Sequence, residues 1–102
     1  MKKTKAKESG FKTKLYEEIR DRFPGSEVLI NDPTLMQGIP DATVLFPNGR
    51  YTLLEGKRSS DSSKQPNQEY YVNESPLAPN AMFVYPENKQ AVMEELERRY
   101  KK

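Results

Sequence analysis

The 102-residue chain contains neither cysteine nor histidine. Without cysteine there is no disulfide framework, no thiolate zinc site and no thiol nucleophile. Without histidine, imidazole acid–base chemistry is also excluded. Any metal must therefore be held by oxygen, which favours Mg²⁺, Mn²⁺ or Ca²⁺. A long apolar run is missing too. Nothing approaches the roughly 20 residues that cross a bilayer, and nothing resembles a secretory signal. The expectation is a soluble, cytoplasmic protein with no membrane partner. Charge of one sign is scarce as well: 17 Lys+Arg stand against 15 Asp+Glu, for a net +2. That balance neither requires nor excludes nucleic acid. The length suits one small domain with a small core, for which self-association would be unsurprising.

The charge that is present is unevenly placed. Residues 1–9 carry Lys2, Lys3, Lys5 and Lys7 and no large apolar residue besides Met1. They read as a basic flexible arm, either a solubilising end or a contact for phosphate. Residues 10–102 read as a single domain. Phe11, Leu15, Ile19 and Phe23 recur every four residues and predict an amphipathic helix stopped by Pro24-Gly25. Glu27–Ile30, Asp41–Phe46, Tyr51–Lys57 and Ala81–Tyr85 predict four strands. A helix is expected from Pro66 to about Asn73, and a last one from Asn88 to Tyr100 with Val92, Leu96 and Tyr100 in its stripe. The order is α-β-β-β-α-β-α. The strands show little polar alternation, which predicts an α/β fold with helices covering both faces of the sheet.

The turn between the two middle strands carries most information. Pro47-Asn48-Gly49 fits a three-residue loop: Pro47 sets φ for a type I turn, Asn48 follows, and Gly49 takes a left-handed position. That loop pairs Phe46 with Arg50 and, counting outward, Asp41 with Glu55, and it puts Lys57 on the same face. A two-residue Asn48-Gly49 loop would instead send Asp41 and Glu55 to opposite faces. The first register is expected, because Pro47 has a natural place in it. Two carboxylates directly across from each other repel and need positive charge nearby. Lys57 supplies one charge, and a divalent cation between Asp41 and Glu55 would supply two more. Beside it, Lys57 would orient or deprotonate a water, or stabilise charge on phosphate.

Glu-x-Lys alone is weak, since 11 Glu and 11 Lys in 102 residues produce about one such triplet by chance, and Glu87-Asn88-Lys89 is a second. Pro40-Asp41 followed fourteen residues later by Glu55-Gly56-Lys57 is more specific. This pattern resembles the signature of the PD-(D/E)xK nucleases, and most of all the small stand-alone VRR-NUC type found in phages. The likeness spans about residues 11–100. It implies a restriction-endonuclease-like α/β/α sandwich around a central four-stranded mixed sheet. It also implies Mg²⁺ (Mn²⁺ as substitute) held by Asp41, Glu55 and the Gly56 carbonyl, with Lys57 serving the attacking water. An acid on the first helix, here Glu18, is implied as a further metal ligand, and Gln68 on the helix after the lysine as a catalytic support.

Arg58 and Lys64 flank the serine-rich loop and are candidates for contact with DNA phosphates. Of Tyr70 and Tyr71, one is expected in the core and the other is available to stack on a base. Asn31-Asp32-Pro33 reads as turn chemistry. The expected function is a Mg²⁺-dependent DNA endonuclease that hydrolyses phosphodiester bonds with a metal-activated water, acting on branched DNA, junctions or a duplex. One site handles one strand, so cutting a duplex calls for a homodimer. A catalytically inactive nuclease-fold module for DNA binding or phage assembly is the alternative. An unrelated α/β module whose charges form a surface network is the third reading.

Overall fold

The structure is a computed structural model that describes residues 3–32, 34, 37–59, 61, 66–75 and 78–100. Helix α1 (Lys3–Arg22) is followed by strands β1 (Glu27–Ile30), β2 (Ala42–Leu45) and β3 (Tyr51–Gly56). Helix α2 (Pro66–Asn73), strand β4 (Ala81–Val84) and helix α3 (Lys89–Tyr100) complete the order. The four strands form one mixed sheet in the order β1-β2-β3-β4, antiparallel except for the parallel β3–β4 pair. The apolar stripe predicts the α1 backbone only from Phe11, but the helix begins at Lys3. Residues 3–9 therefore continue the helix backbone. Lysine, alanine and glutamate are good helix formers, and no proline interrupts them.

One face of the sheet holds the main core. Leu15, Tyr16, Ile19 and Phe23 of α1 and Val92, Met93 and Leu96 of α3 pack on Ala42, Val44, Phe46, Leu54 and Val84. Those strand residues share a face, as the register requires: Ala42 opposes Leu54, and Val44 opposes Thr52. The other face carries a smaller cluster, in which Val72 of α2 meets Leu53, Ala81 and Phe83. The expectation that helices cover both faces holds only in part. Eight residues of α2 span about 12 Å, enough for two strands spaced about 4.8 Å apart and little more. Leu29 on β1 and Leu45 on β2 are left 47% and 41% exposed.

The β2–β3 connection is a single 3₁₀ turn, Pro47–Gly49, with Gly49 at φ 77°, a left-handed value that an L side chain resists. The Phe46 amide donates to the Arg50 carbonyl (2.8 Å), so these two residues close the hairpin. Counting outward through Ala42 and Leu54 brings Asp41 opposite Glu55. The three-residue register is the one formed.

Candidate functional site

Asp41 enters β2, Glu55 and Gly56 end β3, and Lys57 follows, its amide donating to the Val84 carbonyl at the end of β4 (2.8 Å). The charged residues thus gather at the carboxyl ends of the two parallel strands, where open α/β sheets hold their ligands. The strand ends are locked by their own side chains. The Asp41 amide donates to Glu55 Oε1 (3.2 Å), and the Gly56 amide donates to Asp41 Oδ2 (3.0 Å). Asn31 at the end of β1 braces the same corner, donating to the Pro40 carbonyl (2.8 Å) and accepting from the Thr43 hydroxyl (3.1 Å). Asp32 accepts from both the amide and the hydroxyl of Thr34, which is turn chemistry.

Gln68 reaches from α2 between acid and lysine. Its Nε2 donates to Glu55 Oε2 (3.0 Å), and its Oε1 accepts from Lys57 Nζ (2.9 Å). Lys57 Nζ lies 3.6 Å from the same Glu55 oxygen. Both charged residues are buried, Glu55 at 2% exposure and Lys57 at 9%. Burial, and then the neighbouring Asp41 charge, push the Glu55 carboxyl up from its ordinary 4.5 to about 7, against the opposing pull of Lys57 and Lys12.

Two residues of α1 join the site without having been singled out in the sequence. Lys12 Nζ forms an ion pair with Asp41 Oδ2 at 2.8 Å. Tyr16 is buried within electrostatic reach of the acids, and burial, followed by the Asp41 charge, pushes its hydroxyl up to about 12, so it stays protonated. Glu18 is placed elsewhere. It pairs with Lys89 at the start of α3 (2.9 Å), and no three acids gather into a metal-holding group among the described residues. The reason is helical geometry. Lys12 and Tyr16 precede Leu15 and Ile19 by three residues and lie on the margin of the stripe that faces the site, whereas Glu18 lies on the opposite margin, toward α3.

Arg58 is exposed and lines a cleft of about 500 Å³ with Phe11, Ser59 and Pro86, next to the strand end that carries Lys57. Lys64 lies outside the described residues. Tyr71 is half-buried, while Tyr70 is 46% exposed and meets Tyr71 edge-on at 5.5 Å. No helix among the described residues is long and apolar enough to cross a membrane. Set against protein-family models, curated proteins and solved structures, the chain matches none of them.

Proposed function

We propose that this chain is a Mg²⁺-dependent DNA endonuclease with Asp41, Glu55, Lys57 and Gln68 at its centre. The observation that carries the reading is the linked set at one sheet end. Asp41 stands across from a buried Glu55, and Gln68 joins Glu55 to Lys57 through hydrogen bonds of 3.0 and 2.9 Å. The donor set fits a hard divalent cation, because only oxygen ligands are offered and Glu55, raised to about 7 by burial and then by the Asp41 charge, sits directly beside a second acid. Asp41, Glu55 and the Gly56 carbonyl would hold it. When bound, such an ion acidifies a water and offsets charge developing on phosphate.

The chain's own groups do the remaining work. Gln68 fixes the Lys57 ammonium and the Glu55 carboxylate relative to each other, so neither needs to reorganise as substrate arrives. One Lys57 N–H goes to Gln68 and another is directed at Glu55, which leaves a third donor for water or a phosphate oxygen. Arg58, exposed on the adjoining cleft, is placed to hold a flanking phosphate as a charge-assisted partner. The restriction-endonuclease-like sandwich, the phage-type resemblance and the homodimer belong to the same proposal.

The test is supercoiled plasmid with Mg²⁺. Wild type should nick it and EDTA should stop the reaction. Asp41→Ala and Lys57→Ala should each lower the rate at least about 100-fold, as loss of a preorganised charge does. Equal cleavage by equally clean variants would assign the activity to a contaminant. A second reading, an inactive DNA-binding module, draws on the Lys12–Asp41 ion pair, which partly neutralises the acid with no metal at all. Under that reading DNA is retained but never cut.

A further inference from the structure

Asp41 and Glu55 are neutralised from opposite sides of the sheet, and the two sides differ in accessibility. On the α2 side, Lys57 and Glu55 side chains are 11% and 3% exposed, and Gln68 ties them together. On the α1 side, Lys12 and Asp41 side chains are 25% and 28% exposed, with Nζ 2.8 Å from Oδ2. A cation arriving from solvent meets the Lys12–Asp41 pair first and can replace its ammonium without opening the core. A partly exposed ion pair of this kind is worth little, so the exchange is cheap.

Gly56 bears on the same pair. Its φ is not in the left-handed region, unlike those of Gly25, Gly38 and Gly49, so the backbone does not call for glycine there. What calls for it is space: a Cβ at Gly56 would lie 3.0 Å from Lys12 Cγ, 3.3 Å from Cε and 3.6 Å from Cδ. The Lys12 stem lies along the strand over the missing side chain and ends at Asp41.

We infer that Lys12 is a built-in counter-ion that occupies the Asp41 side of the acid pair until a divalent cation displaces it, and that Gly56 is glycine to admit its stem. The inference rests on the metal-binding reading above. It makes Lys12 a positioning residue that keeps the acid pair ordered in the unloaded protein and sets the cation concentration at which loading occurs.

Lys12→Met keeps a stem of similar shape and removes the charge. Calorimetric titration with Mn²⁺ should show it binding at least about fivefold more tightly than wild type, the coupling of a modest competing charge. In EDTA it should melt lower than wild type and gain more from added Mn²⁺. Lys12→Gln, which retains a polar end, should shift Mn²⁺ affinity the same way, and reads the effect if Lys12→Met folds poorly. Gly56→Ala should cost less thermal stability in a Lys12→Ala background than in wild type, because the added Cβ then meets no stem. Equal or weaker Mn²⁺ affinity in the Lys12 variants overturns the counter-ion role. An equal Gly56→Ala cost in both backgrounds overturns the account of the glycine. Mn²⁺ bound by neither wild type nor variants overturns the metal reading itself, an outcome distinct from both.

Discussion

Glu55 is an acid buried beside another acid, and its proton equilibrium therefore couples to folding. With its carboxyl raised from 4.5 to about 7, the folded chain holds a proton that the unfolded chain has already released between those values. A raised carboxyl means stability that is present below the unfolded value and declines as pH climbs through the folded one. In EDTA, urea melts between about pH 5 and about pH 8 should show this decline, a few kcal/mol at most, and Glu55→Gln should flatten it. Mn²⁺ should bind more tightly as pH rises through the same range, because ion and proton compete for one carboxylate. Gln68 makes its contribution through two hydrogen bonds at once. Gln68→Leu should cost about 1–3 kcal/mol in denaturant melts, the price of leaving buried polar partners unmet, and should lower plasmid nicking as well. At this scale Asp41, Glu55 and Lys57 were legible from spacing and register, and Gln68 only through the family resemblance. Lys12 was not, because a lysine on the margin of a helix is ordinary until the strand it crosses is known.

Among the elements, α1 and α3 are anchored deeply and α2 is not. Leu15, Ile19, Met93 and Leu96 are fully buried on the main core. Leu15→Ala should lower stability by about 2–5 kcal/mol, as cavity formation in a packed core does. Among the described residues, the apolar support of helix α2 is a small cluster in which Val72 meets Leu53, Ala81 and Phe83. Its amides from Glu69 to Asn73 should exchange with deuterium faster than those of α3, and Val72→Ala should widen that gap. Equal protection of the two helices would contradict this ordering of local stability. Because α2 carries Gln68, Val72→Ala should also reduce cleavage while leaving every charged residue in place. The elements themselves were legible, since apolar stripes every four residues and short apolar strands set their type. The bounds of α1 were not, because propensity extends a helix beyond the stripe that packing requires.

For the molecule as a whole, one set of acids would cut one strand under the proposed function, so the proposed homodimer has a kinetic signature. Nicked plasmid should accumulate first at low protein concentration, and linear product should rise more steeply than protein concentration does, with light scattering reporting the dimer over the same range. Linear product that appears in proportion to protein would favour a monomer acting twice. DNA affinity should also fall as salt is raised, since the proposal gives Arg58 a phosphate to hold. By itself the sequence favoured the hairpin register: Pro47 has a natural place in the three-residue loop and none in a two-residue Asn48-Gly49 one, and the favoured register brings Asp41 opposite Glu55. This information is local, carried by φ preferences and alternation within a few residues. Only the tertiary structure decided which margin of α1 faces the acids, so that Lys12 pairs with Asp41 while Glu18 turns to Lys89. The two margins differ little in composition, and the choice between them depends on how α1 is rotated when it packs against both β3 and α3.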